Sequence, residues 1–152
     1  MKELILEAQD KWAKGIIYIG EEKDNISAAR LLSLDFLNDL YDFQNNNVQF
    51  KPTLASKIQF RNDIDSALSY FIGNNKNFPE DIGFAIKPWI NIEFKNNSIN
   101  IIDDIGIAMG NYYFTDLNNQ EIKVEYTFVY KKIKDKLKII LHHSSIPYEN
   151  SL

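Results

Sequence analysis

The stretch from Val124 to Tyr148 constrains the fold of this 152-residue chain more than any other part of it. Two β-rich segments flank a lysine-rich turn between Lys131 and Lys138, and the second segment ends in His142, His143, Ser144 and Ser145. Alternation with a period of two predicts a hairpin whose faces can be read off the sequence. Along 124–131, Val124, Tyr126, Phe128 and Tyr130 share a face. Along 137–145, Leu137, Ile139, Leu141, His143 and Ser145 share one. Turning the apolar and aromatic sets inward places His143 and Ser145 inside beside Tyr126, and leaves His142 and Ser144 outside. A single bulge in the second strand would reverse that assignment.

Upstream of this hairpin the pattern changes. Leu4, Ile5, Ala8, Trp12, Ile16 and Ile19 recur at helical spacing and predict a helix over 3–20. Asp24 to Ser27 offers caps for a second helix carrying Ala28, Leu31, Leu32, Phe36, Leu40 and Phe43. Val48 to Pro52 reads as a short extended piece, because Pro52 holds Lys51 in extended geometry. A third helix is expected from about Lys57 to Phe71, closed by Gly73. From Gly83 onward the segments are short and β-rich: 83–86, Trp89 to Phe94, Ile99 to Ile102 and Ile107 to Phe114. Asn96-Asn97 and Asn118-Asn119 are the expected hairpin tips. Helices followed by a run of antiparallel strands give an α+β fold, read as a single domain over 1–152. The expected architecture is three N-terminal helices packed on a strongly curved antiparallel sheet, with Gly106 and Gly110 as bend or bulge points.

A net charge of −4 with no basic stripe argues against a nucleic-acid partner. The chain has no cysteine, which excludes disulfides and thiolate chemistry. No apolar run approaches a membrane span, and residues 1–10 lack the apolar stretch of a signal peptide, so the chain reads as cytoplasmic with no membrane contact. Aromatic residues make up 13% of the sequence, enough wide, flat side chains to fill or line the hollow of a curved sheet.

With the order of elements in place, the runs 50–56 (Phe-Lys-Pro-Thr-Leu-Ala-Ser), 107–114 (Ile-Ala-Met-Gly-Asn-Tyr-Tyr-Phe) and 141–147 (Leu-His-His-Ser-Ser-Ile-Pro) resemble the nuclear transport factor 2-like superfamily, which also includes SnoaL-like proteins. Within it the resemblance is to bacterial proteins similar to the association domain of calcium/calmodulin-dependent protein kinase II. It implies a cone-shaped fold of the cystatin-like type, assembly through the sheet and a deep pocket. In the kinase the domain is a scaffold whose pocket takes small carboxylates through arginines. This chain has only Arg30 and Arg61, and Asn111 and Phe128 stand near where strand arginines would be expected.

Adjacent strand residues point to opposite faces, so His142 and His143 cannot chelate one ion together, and neither a metal nor a cofactor is expected. The candidate pocket set is Arg61, Trp89, Asn111, Tyr113, Tyr126, Phe128, His143 and Ser145. Two functional readings follow. The first is a non-enzymatic association domain that forms homo-oligomers through its sheet face and holds a small molecule. The second is a pocket enzyme of the isomerase, cyclase or dehydratase type, with His143 as general base and Tyr126 or Tyr113 as hydroxyl donor.

Overall fold

The computed structural model describes residues 1–150. Helices α1 (Lys2–Glu21), α2 (Ile26–Leu40) and α3 (Ile64–Ile72) pack on a five-stranded curved sheet. Its strands are β1 (Gln49–Lys51), β2 (Trp89–Ile102), β3 (Ile105–Asp116), β4 (Glu121–Ile133) and β5 (Lys136–Ser145). They lie in the order β1-β5-β4-β3-β2, antiparallel except for β1 against β5. This is the expected α+β cone.

The local chemistry of each helix is simple. In α1, Ile5, Ala8, Gln9, Trp12, Ala13, Ile16, Ile19 and Gly20 recur every three or four positions and are buried on one stripe. Asn25 caps α2 by accepting from the Ala28 N–H, and Asp63 caps α3 by accepting from the Ser66 N–H. Gly73 ends α3 at φ +64°, in the left-handed region.

Three boundaries differ from expectation. The third helix begins at Ile64 rather than near Lys57, because Asp63 provides the cap and residues 52–62 form a loop instead. Residues 83–86 form turns and no strand. Asn96-Asn97 is no hairpin tip: β2 runs through it with a register shift at Asn97, and the chain reverses at Asp103, which adopts φ +53°. The Asn118-Asn119 tip is present, with Asn119 at φ +60°. Gly110 faces the Asn97 bulge, where a Cβ would lie 2.1 Å from the Lys95 carbonyl oxygen. Among the described residues no helix is long and apolar enough to cross a membrane.

The last hairpin carries the decisive irregularity. Tyr130 pairs with Ile139 and Val129 pairs with Leu141, so Ile140 is an extra residue in β5. Before the bulge, Leu137 and Ile139 are buried; after it, His142 and Ser144 are, and His143 is exposed. The β4 face is as expected: Val124, Tyr126, Phe128 and Tyr130 point inward.

Candidate active site

The bulge at Ile140 brings His142 into a row of inward-facing residues across three strands. Phe50 on β1 and Phe128 on β4 are its direct cross-strand partners. Their rings stack on the imidazole from either side, with centroids 4.8 Å and 4.0 Å away. Trp12 from α1 closes the edge at 5.7 Å. Burial in this aromatic clamp, with a smaller contribution from the charge of His143, holds the imidazole pKa well below its ordinary value, so His142 is neutral.

Both ring nitrogens are engaged. The Tyr41 hydroxyl lies 2.9 Å from Nδ1 and also accepts from the Trp12 indole N–H at 2.9 Å. The Tyr112 hydroxyl lies 3.1 Å from Nε2 and 2.5 Å from the Ser144 Oγ. Ser144 is in turn 2.6 Å from the Thr53 Oγ1. The Tyr70 hydroxyl sits beside Thr53 and accepts from the Leu54 N–H at 3.2 Å. One hydrogen-bonded chain therefore runs from Trp12 through Tyr41, His142, Tyr112 and Ser144 to Thr53, with the Tyr70 hydroxyl beside its end.

This chain borders a cavity along most of its length. Trp12, Phe50, Pro52, Thr53, Tyr70, Phe71, Phe84, Tyr112, His142 and Ser144 line ≈ 180 Å³ of empty space, mouth included. Little of that space is free of the lining atoms: there is room for about one water molecule. The lining combines aromatic rings with the hydroxyls of Thr53, Tyr70, Tyr112 and Ser144. Burial raises the pKa values of Tyr41, Tyr70 and Tyr112 far above that of a free phenol. These hydroxyls and His142 are all uncharged near neutral pH.

Thr53 is held in place from outside the cavity. The Glu80 carboxylate accepts from the Ser56, Lys57 and Ile58 N–H groups, and those bonds push its pKa down to about 2, the Ser56 N–H contributing most. Lys51, half-buried on β1, donates to the carbonyls of Thr53 and Ser144. Arg61 makes a fully buried two-pronged ion pair with Asp81, which also accepts from the Ser69 hydroxyl.

Of the residues singled out from sequence, Phe128 stacks on His142, while Tyr126 and Trp89 pack behind the lining rings of Tyr112 and Phe84. His143, Asn111 and Ser145 lie with Glu125 and Thr127 on the outer face of the sheet, and Tyr113 is on that face too. His143 and Ser145 are there because the bulge shifts the parity of β5 by one. Asn111 and Tyr113 are there because Tyr112 is the inward residue of β3. Tyr126 does point inward, but its hydroxyl donates to Asn96 beneath Gly110, away from the cavity. Arg61 is consumed by Asp81, and Trp89 is a packed core residue donating to the Phe84 carbonyl. Sequence reasoning missed Tyr41, Thr53, Tyr70, Tyr112, His142 and Ser144. Thr53 and Ser144 do fall in the two runs, 50–56 and 141–147, that stood out as distinctive. Among the described residues no group of three His, Cys, Asp or Glu side chains converges as a metal-holding cluster.

Residues 3–146 match the family model described as metal-independent carbonic anhydrase. The chain belongs to that family. It is 40% identical over 149 residues to the metal-independent carbonic anhydrase of Nostoc sp. (strain PCC 7120), covering 95% of this chain and 73% of the relative. The crystal structure of a cyanobacterial iota-carbonic anhydrase complexed with bicarbonate superposes with a TM-score of 0.94 at 37% identity, covering 99% of this chain and 94% of that one. A calcium/calmodulin-dependent protein kinase II association domain-like protein from Xanthomonas campestris follows at TM-score 0.66 and 23% identity, covering 95% and 86%. That likeness is one of fold alone, and it accounts for the resemblance seen in sequence. Membership of a carbonic anhydrase family overturns the first functional reading, a non-enzymatic and uncharacterised association domain. Of the two readings, a pocket enzyme is the one the family supports.

Proposed function

We propose that this protein interconverts carbon dioxide and bicarbonate in the cavity beside His142, using its own hydroxyl groups. The observation that carries the reading is the chain of neutral hydrogen-bonding groups that lines a small cavity. Family membership and the likeness to a bicarbonate-bound relative support it.

The geometry suggests what each part does. Carbon dioxide carries no net charge or dipole and suits the rings of Trp12, Phe50, Phe71 and Phe84. The hydroxyls of Thr53, Tyr70, Tyr112 and Ser144 hold the attacking water and a substrate oxygen. Of the cavity's lining groups, burial holds His142 neutral and Tyr70 and Tyr112 protonated, so none of these three serves as a simple ionised base. A hydroxyl relay answers this. The water oxygen bonds to the carbon while one of its protons passes to the Thr53 oxygen. The Thr53 proton passes to the carbon dioxide oxygen, which takes the electron pair of the C=O bond being broken to a single bond. Carbonic acid results and loses its proton to solvent; dehydration is the reverse.

The test is stopped-flow hydration of carbon dioxide by protein treated with a strong chelator. Catalysis above the buffer rate, unchanged by chelation, is expected. A rate equal to buffer would overturn the reading.

The outer sheet face supports a second copy of the chain as partner. Ile107, Val129 and Leu141 are aligned across β3, β4 and β5. Met109 and Ile102, 51% and 59% exposed, extend this apolar row. Sedimentation should give twice the chain mass, and Val129→Glu should give the monomer.

A further inference from the structure

We infer that Tyr41 locks His142 as the Nε2–H tautomer and thereby makes the whole hydroxyl chain run outward, delivering its surplus proton donor to the cavity. This rests on the reading of the cavity as the place where carbon dioxide is hydrated, and adds a positioning residue that does not touch substrate.

The argument is an inventory of donors and acceptors. The Tyr41 hydroxyl has two neighbours, the Trp12 indole nitrogen and the His142 Nδ1. Indole N–H donates and cannot accept, so the Tyr41 proton has one acceptor within reach, Nδ1. With Nδ1 accepting, the neutral imidazole carries its proton on Nε2 and donates to Tyr112. Tyr112 then donates to Ser144, and Ser144 to Thr53. Thr53 keeps a proton that no other member of the chain takes, and Thr53 lines the cavity.

The opposite polarity has a different outcome. Thr53 would donate to Ser144, Ser144 to Tyr112, and Tyr112 to Nε2. Nδ1–H would then donate to Tyr41, stranding the Tyr41 proton in the core against an indole that cannot take it. A buried hydroxyl proton without an acceptor is strongly disfavoured. The cavity end would offer only lone pairs, which repel the oxygens of carbon dioxide and of bicarbonate. The number of protons is the same in both arrangements; Tyr41 decides at which end the extra one sits.

The test is nitrogen NMR of protein labelled with ¹⁵N-histidine. The chain has two histidines, and the exposed His143 serves as the internal reference. The expected result is a neutral His142 protonated on Nε2, with Nδ1 showing the shift of an unprotonated nitrogen. Finding His142 protonated on Nδ1 would overturn the inference. Tyr41→Phe should release the lock, so that Nδ1–H becomes populated, with kcat falling about tenfold and KM changing less than twofold. An unchanged tautomer in that variant would also overturn it. If the protein fails to hydrate carbon dioxide but His142 is Nε2-protonated, the functional reading falls and the tautomer lock stands.

Discussion

Two neighbouring pairs at the end of β5 have the same composition and opposite surroundings. His142 and Ser144 point into the core, where each of their side-chain polar atoms meets another inside an aromatic shell. His143 and Ser145 point out from the sheet, where the Ser145 hydroxyl meets only the Glu125 carboxylate at 3.2 Å. The residue types are identical, so residue chemistry alone cannot explain why one pair borders an interior cavity and the other a surface groove. Environment makes the difference. Inside, burial keeps the imidazole neutral and the phenols protonated, and the network fixes which atom donates to which. Outside, water competes for every such bond.

The sharpest way to break this contrast is to interrupt the inner chain. Thr53→Val and Tyr112→Phe should each lower kcat/KM for carbon dioxide hydration by about 10²-fold, the scale of losing one well-placed donor. Asn111→Ala on the outer face should leave it within about twofold.

Stability should separate the two histidines next. His142→Ala leaves a void between the Phe50 and Phe128 rings and deprives Tyr41 of its only acceptor, at a cost of about 3–4 kcal/mol in urea denaturation. His143→Ala should stay within about 0.5 kcal/mol of the parent. Equal costs would mean that the packing of β5 is not as described.

Titration sharpens the same contrast. The folded pKa of His142 is depressed below the unfolded value, so the unfolded chain binds more protons as pH falls. Its contribution to stability is full above the unfolded histidine pKa near 6.5 and is lost as pH drops below that value, by at most about 1.4 kcal/mol per pH unit. His142→Phe should remove this slope from a denaturation series between pH 7 and 5, and His143→Phe should leave it. The same depression, with the raised tyrosines, predicts a hydration rate with no inflection from His142 between about pH 7 and 9.

The smallest effect lies in the loop that carries Thr53. Glu80→Gln removes the charge that gathers the Ser56, Lys57 and Ile58 amides. Faster hydrogen exchange at those three amides, with a two- to fivefold loss of rate, is expected.

The fold was largely legible in the sequence because helical and alternating periods are local signals. Trp12 and its stripe marked α1, and Val124 to Tyr130 marked the inner face of β4. The site was not, and the reason is one residue. A bulge leaves composition and alternation intact on both sides and changes only their phase, so nothing around Ile140 announces it; His143 was placed inside on that account. Tyr112 was passed over for Tyr113 for a related reason, since two tyrosines in a row give no clue to which faces in. Thr53 and Tyr70 come from a loop and a helix far from β5 in sequence, and only the folded chain brings them to Ser144. The non-enzymatic reading failed for a separate reason: a likeness of fold to association domains carries no chemistry, and the proposed chemistry uses hydroxyls that composition treats as ordinary.

The account stands most directly on the two serines. Oxygen-18 exchange from labelled bicarbonate, followed by mass spectrometry, should be measured for the parent protein, Ser144→Ala and Ser145→Ala under identical metal-free conditions. The account predicts that Ser145→Ala exchanges at the parent rate and that Ser144→Ala falls by about 10²-fold while remaining folded. Equal rates for the two variants, or a loss confined to Ser145→Ala, would contradict it.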